Sequence, residues 1–131
     1  MNDRFLDTNV VLYLLDDSEK SDIAEKILCD GGVISVQVLN EALVNCIKKA
    51  KMSFTEAGEF LTAVQDLCHV VSLTPEVHDI GRALADRYKL SVYDSMIVSA
   101  ALLSGCRELL SEDMQDGMEI EGSLRIVNPF K

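Results

Sequence analysis

The stretch that decides the fold lies near the start of the chain, where residues 4–15 read RFLDTNVVLYLL. A short extended segment runs into an acid, a hydroxyl and an amide, Asp7, Thr8 and Asn9, and then into apolar residues with helical spacing. The pattern predicts a first β-strand that delivers Asp7 to the start of a helix. An acid at such a junction is commonly a helix N-cap or an Asx-turn residue, so Asp7 alone leaves a structural and a functional role open.

Strand and helix patterns alternate along the rest of the chain. After a first strand and a short helix to about Leu15, we predict helices at 19–29, 37–49, 54–68, 75–88 and 92–104, and strands at 33–35, 69–73, 108–110 and 124–127. Such alternation favours parallel strand pairing. We therefore expect an α/β fold, a three-layer α/β/α sandwich with a short, mainly parallel sheet of about five strands, formed by a single domain over residues 1–131.

Composition narrows the classes of function. The net charge of −10 repels nucleic acid, unless the acids are gathered around divalent cations that reverse the local field. The four cysteines have no CxxC spacing and lie in apolar segments, which predicts buried thiols in a reducing compartment. No apolar run has the length of a signal peptide or a membrane span, so we expect a cytoplasmic protein without a membrane partner.

Four acids are predicted to meet at one edge of the sheet. In parallel α/β sheets ligands bind beyond the carboxyl ends of the strands. Asp7 and Asp113 follow predicted strands, and Glu41 and Asp94 lie early in predicted helices. Each has a structural alternative: Glu41 as a solvated helix residue, Asp94 in a capping box, Asp113 in turn chemistry.

If these four carboxylates converge, a metal-binding role becomes more plausible than four separate structural roles. They would repel one another unless a cation neutralised them, and an all-oxygen site suits Mg²⁺ or Mn²⁺. One or two such ions can activate water and hold a phosphodiester for attack. The four acids therefore predict metal-dependent phosphodiester hydrolysis.

The ordered acid blocks resemble the PIN-domain family, and within it the small VapC-type toxin ribonucleases. The blocks are FLDTN at 5–9, SVQVLNE at 35–41, YDSMI at 93–97, LSEDMQDG at 110–117 and VNPF at 127–130. The resemblance implies a Mg²⁺- or Mn²⁺-dependent endoribonuclease, the toxin of a type II toxin-antitoxin pair. The partners implied are an RNA substrate, a cognate antitoxin and a second copy in a homodimer.

The resemblance also implies roles for individual residues. Asp7, Glu41, Asp94 and Asp113 would be the catalytic, metal-binding acids. Thr8 or Asn9 would orient Asp7, Ser111 would supply a hydroxyl near the site, and Asp116 would be a less constant fifth acid.

Other interpretations remain open. Lys48, Lys49 and Lys51 form the densest basic cluster and are candidates for RNA phosphate contacts, although a solvated helix end explains them equally well. A haloacid-dehalogenase-like phosphatase would use Asp7 as nucleophile, but its Asp-x-Asp motif requires an acid where this chain has Asn9. A non-catalytic interaction module with the same fold is the third interpretation.

Overall fold

The computed structural model describes residues 3–131, and within this range the chain forms six α-helices and six β-strands. The strands are β1 Arg4–Leu6, β2 Val33–Ser35, β3 His69–Val71, β4 Glu108–Leu110, β5 Glu119–Ile120 and β6 Leu124–Val127. The helices are α1 Thr8–Leu12, α2 Glu19–Cys29, α3 Val36–Lys48, α4 Phe54–Leu67, α5 Pro75–Tyr88 and α6 Val92–Leu103. A single 3₁₀ turn, Tyr13–Leu15, extends α1.

The strands form one sheet in the order β3-β2-β1-β4-β6-β5. All neighbouring pairs are parallel except β5 with β6, which is antiparallel. The predicted α/β class with a mainly parallel sheet is confirmed. The sequence missed β5, because a strand of two residues is too short to show an alternating pattern.

The helices pack in two groups, with contacts among α1, α2, α3 and α4 and extensive contacts between α5 and α6. The middle strands β1, β2 and β4 form the centre of the core, where Phe5, Ile34 and Leu109 have 0% exposure. Helix α6 is apolar nearly all round, and its residues 97–101 are all buried.

Side-chain caps start several of the helices. Ser53 and Glu56 form a reciprocal capping box at α4, and Thr74 caps α5 with Pro75 in its first turn. Asp7 is the N-cap of α1, and its carboxylate accepts a hydrogen bond from the Thr8 backbone N–H. The structural role of Asp7 is therefore real, and any functional role is added to it.

The cysteines are all free thiols, but not all are buried. Cys46 and Cys106 are buried, Cys68 is intermediate and Cys29 is exposed at the end of α2. The prediction of four buried thiols is wrong for Cys29, because the apolar face of α2 is turned inward through Ile27 and Leu28. No helix within residues 3–131 combines the length and apolar character that crossing a bilayer requires.

A topological switch point lies between β1 and β4. From β1 the chain moves to β2 and β3 on one side, and it then returns to place β4 on the other side. The two strands pair in register, with Leu6 opposite Leu110. Asp7 and Ser111 follow these residues directly, so both lie at the carboxyl edge where such sheets bind ligands.

Candidate active site

Asp7 occupies the buried end of β1. Only 4% of the residue is exposed. Its Oδ1 accepts the Thr8 N–H at 2.8 Å, and its Oδ2 accepts the Ser111 hydroxyl at 2.7 Å. Both oxygens thus have a fixed donor, which sets the orientation of the carboxylate.

Ser111 links Asp7 to the loop that follows β4. The residue is fully buried, and its hydroxyl oxygen accepts the backbone N–H groups of Asp113 and Met114, each at 3.2 Å. One hydroxyl therefore binds the buried acid and the backbone of the loop that carries Asp113. Ser111 thus places a hydroxyl next to Asp7.

Glu41 lies in the second turn of α3 and faces the same edge. Its Oε1 accepts the Thr8 hydroxyl at 3.0 Å, and its Oε2 accepts Gln37 Nε2 at 2.7 Å. The same Gln37 nitrogen donates to the backbone carbonyl of Tyr93 at 3.0 Å. Glu41 is therefore tied both to the residue after Asp7 and to the first turn of α6.

Asp94 lies in that first turn of α6 and is partly buried. Its backbone N–H donates to the Ser91 hydroxyl at 3.2 Å, so Ser91 caps the helix as the sequence predicted. Burial raises the pKa of Asp94, and the negative charges of Asp113 and Glu41 raise it further. Three of the four acids are thus close enough to affect one another.

Asp113 is the exposed member of the set. Its carboxylate accepts a hydrogen bond from the side-chain amide of Asn9. Thr8 and Asn9 were expected to orient Asp7. The structure assigns that task to the Thr8 backbone, while the Thr8 hydroxyl binds Glu41 and the Asn9 amide binds Asp113.

The electrostatics of Asp7 are affected first by burial and then by two neighbouring acids. Burial raises its pKa from 3.8 to about 6, although the hydrogen bonds from Ser111 and Thr8 oppose the rise. The charges of Asp94 and Asp113 add to the increase. Strand ends and helix starts thus bring Asp7, Glu41, Asp94 and Asp113 to one edge, which we call the acid edge.

Asp116 does not join the acid edge through its contacts. Its carboxylate accepts the backbone N–H of Asn128 at 2.8 Å and pairs with Lys131 at 3.1 Å. The Asn128 hydrogen bond, with a contribution from Lys131, lowers the pKa of Asp116. The contacts of this side chain therefore serve to hold the C-terminal segment.

The three candidate lysines occupy different positions. Lys49 lines a cleft of about 370 Å³ together with Asn9 and Asp113, beside the acid edge. Lys48 is the exposed last residue of α3, and Lys51 is exposed in the connection that follows. Of the three lysines, Lys49 is therefore the one placed beside Asp113.

A comparison with known families adds to this geometry. Residues 4–115 match the family model of the PIN domain, which is most of the chain. The chain belongs to the PIN domain family. No protein of curated function matches the chain in sequence.

Solved structures share the fold of this PIN domain. A toxin-antitoxin complex from Klebsiella pneumoniae has 21% sequence identity and a TM-score of 0.75, with 98% of both chains covered. DNA-bound VapBC from Salmonella typhimurium has 18% identity and a TM-score of 0.71, with 96% of this chain and 97% of that chain covered. VapC20 from Mycobacterium tuberculosis, described as a Sarcin-Ricin loop cleaving toxin, has 14% identity and a TM-score of 0.69, with 84% and 89% covered.

The acids of this PIN domain have the donor chemistry of a site for a hard divalent cation. Carboxylate oxygens are the ligands that Mg²⁺ and Mn²⁺ prefer. The pKa values of Asp7 and Asp94 are raised first by burial and then by neighbouring carboxylates, and a bound cation would favour the ionised form of both. Among residues 3–131, no three His, Cys, Asp or Glu side chains are grouped so that together they could hold a metal ion. Mg²⁺ keeps several of its waters and can be bound through one or two carboxylates, so the chemistry of these donors still fits it.

Sequence reasoning missed Gln37, which links Glu41 to the Tyr93 carbonyl. A signal was available, since Gln37 and Glu41 are four residues apart on one helix and so share a face. It also missed Tyr13, Lys20 and Glu112, which contact one another beside Asp113. Tyr13 and Lys20 are 99 and 92 residues away from Glu112 in the sequence, so no local pattern could reveal these contacts.

Proposed function

We propose that this PIN domain is a Mg²⁺- or Mn²⁺-dependent endoribonuclease, the toxin of a type II toxin-antitoxin pair. The observation that carries the proposal is the acid edge, where buried Asp7 with a pKa of about 6 lies among the charges of Asp94 and Asp113. Membership of the PIN domain family supports it. The description of the Mycobacterium tuberculosis neighbour as a toxin that cleaves the Sarcin-Ricin loop supports RNA as the substrate.

In the proposed mechanism the chain supplies fixed oxygen ligands. Asp7, Glu41, Asp94 and Asp113 are the acids that would hold the cation, and Ser111, Thr8 and Gln37 keep the carboxylates of Asp7 and Glu41 in place. When bound, the divalent cation lowers the pKa of a water and stabilises negative charge on the phosphate. The chain's own contribution is thus the preset position of its carboxylates, so that little reorganisation is needed when RNA arrives.

Lys49 is proposed to bind an RNA phosphate next to the acid edge. It shares the cleft with Asp113, and a basic side chain there would partly offset the repulsion between RNA and a protein of net charge −10. Lys48 and Lys51 would contact RNA phosphates further from the cleaved bond. Such contacts position RNA without reading its sequence.

A cognate antitoxin and a second copy of the chain are the proposed protein partners. Several large apolar side chains are exposed near the start of α6 and the outer face of α3, namely Val44, Leu73, Val92 and Tyr93. Exposed apolar groups of this kind support a protein partner. The Klebsiella pneumoniae neighbour was solved as a toxin-antitoxin complex, which supports an antitoxin as one such partner.

The phosphatase alternative is disfavoured by the surroundings of Asp7. The place of a second acid is taken by Asn9, which binds Asp113. A non-catalytic interaction module remains the alternative that the assay has to exclude.

The deciding experiment incubates labelled RNA and p-nitrophenyl phosphate with the protein and Mg²⁺, Mn²⁺ or EDTA. We expect metal-dependent RNA cleavage that Asp94→Asn reduces by about 1000-fold or more, since it removes a ligand worth several kcal/mol of transition-state stabilisation. The matched control is Asp79→Asn on the exposed face of α5, where Asp79 pairs with Arg82. Hydrolysis of p-nitrophenyl phosphate alone would indicate a phosphatase, and no hydrolysis of either substrate would indicate an interaction module.

A further inference from the structure

A cluster of three polar side chains lies beside the acid edge. The Tyr13 hydroxyl donates a hydrogen bond to Glu112, and Lys20 Nζ donates to the same carboxylate at 2.6 Å. Lys20 Nζ also lies 3.3 Å from the Tyr13 hydroxyl and 4.9 Å from the centre of its ring. We call these three residues the Glu112 clamp.

The clamp joins parts of the chain that are distant in sequence. Tyr13 begins the 3₁₀ turn after α1, Lys20 lies in the first turn of α2, and Glu112 lies in the loop after β4. The Tyr13 ring also packs edge-on against Phe130, with 4.8 Å between ring centres. The loop is thus attached to two helical segments and, through Tyr13, to the C-terminal residues.

The clamp acts on the residue immediately before Asp113. Asn9 and Tyr13 are four residues apart on the opening helical segment, so they share one face of it. Asn9 contacts Asp113 and Tyr13 contacts Glu112. Two consecutive loop residues are therefore held by the same face of the helical segment that Asp7 caps.

We propose that Glu112 is a positioning residue for the acid edge: Tyr13 and Lys20 hold it, and it sets the place of Asp113 relative to Asp7. The proposal rests on the proposed RNA cleavage for its catalytic consequence. Its structural part, the hold on residues 112–114, stands independently of that activity.

General stabilisation is a poor explanation of the clamp. The Lys20 side chain is 40% exposed and the Glu112 side chain 24% exposed, and ion pairs with that much solvent contribute little to the free energy of unfolding. A geometric effect is different, because a shift of about 1 Å in a catalytic group lowers the rate by about 100-fold. Loss of the clamp should thus affect the acid edge more than the fold.

The chain contains a matched control for the clamp. Glu121, in the turn between β5 and β6, accepts the Tyr88 hydroxyl at 2.8 Å and pairs with Arg87 at 2.6 Å. The chemistry is the same, a tyrosine and a basic side chain on one glutamate. No residue of the acid edge is adjacent to Glu121 in the described chain, so its loss should have no effect on Asp113.

The test compares Glu112→Gln, Lys20→Met and the conservative Lys20→Arg with Glu121→Gln. We expect Glu112→Gln and Lys20→Met to lower kcat for RNA by about 10- to 100-fold with little change in KM, and Lys20→Arg to restore it. Amide hydrogen exchange should become faster at Asp113 and Met114 in the first two variants. Glu121→Gln should cause a similar small fall in melting temperature with unchanged kcat and unchanged exchange at these two amides.

Two readouts separate this inference from the proposed function. If the wild type does not cleave RNA, the proposed function fails, and the exchange data alone decide the clamp. Unchanged exchange at Asp113 and Met114 in Glu112→Gln would overturn the clamp whatever the activity. A fall in kcat that also occurs in Glu121→Gln would overturn it as well, because the effect would then be general.

Discussion

Asp7 and Asp113 follow neighbouring strands that pair in register, yet the protein holds them by different means. Asp7 is 4% exposed and has a hydrogen-bond donor on each oxygen, from the Thr8 backbone and from Ser111. Asp113 is exposed in a loop and accepts the Asn9 amide. Burial makes the ionisation of Asp7 depend on its neighbours, whereas the position of Asp113 depends on side chains at the surface.

The first prediction concerns the cost of ionising Asp7. The folded-state pKa of about 6 lies above the ordinary value of 3.8. The contribution of the protonated Asp7 side chain to stability is therefore fully present below about pH 4 and is lost as the pH rises through 6. Relative to Asp7→Asn, the wild type should lose about 3 kcal/mol of unfolding free energy over this range, at 1.36 kcal/mol per pKa unit.

The measurement is urea unfolding of both proteins from pH 4 to 7 in EDTA, so that no divalent cation offsets the charge. Asp116→Asn is the control, because the pKa of Asp116 is lowered from 3.8, so the contribution of this residue to stability should stay nearly constant from pH 4 to 7. A constant difference between wild type and Asp7→Asn across the range would show that burial does not perturb Asp7.

The second prediction tests the residue that joins the two acids. Ser111→Ala removes the donor to Asp7 and the acceptor for the backbone N–H groups of Asp113 and Met114. The unfolding free energy should fall by about 1–3 kcal/mol, because buried partners are left without a hydrogen bond. The pKa of Asp7 should rise further, since the Ser111 hydrogen bond opposes the rise.

Ser99→Ala is the matched control, since Ser99 is also fully buried and donates to the Val77 carbonyl at 2.8 Å. It should lower stability without moving the pH dependence of Asp7. An equal change of pH dependence in both variants would mean that Ser111 has no specific effect on the acid edge.

The difference between the two acids also explains how far the sequence could predict the site. Asp7 follows from a local pattern, because a strand, an acid and a helix start are contiguous in the chain. The four acids were expected at one edge on the strength of the switch-point rule and the family resemblance. The hydrogen-bond partner of each side chain was harder to predict from the sequence, since Thr8 binds Glu41 across 33 residues and Asn9 binds Asp113 across 104.

The same reasoning accounts for the misses in the fold. Hydrophobic periodicity located five strands and six helices, because each is long enough for the pattern to be visible. Side-chain caps lie at the starts of the helices. β5 has two residues, and its pairing with β6 is set by the turn at Glu121, which has a φ of 53°. Cys29 lies in an apolar stretch, yet the last turn of α2 directs it outward, because its face is fixed by Ile27 and Leu28.

The smallest expected effect belongs to the exposed acid. Asn9→Ala removes the amide that contacts Asp113, and because both groups are accessible to water the unfolding free energy should change by no more than about 0.5 kcal/mol. The pH dependence that Asp7 causes should stay as in the wild type. Urea unfolding at pH 4 and 7 checks both statements, with Ser111→Ala as the contrasting variant. A loss comparable to that of Ser111→Ala would show that Asp113 is held as firmly as Asp7, and the distinction between a buried and a surface-held acid would then be wrong.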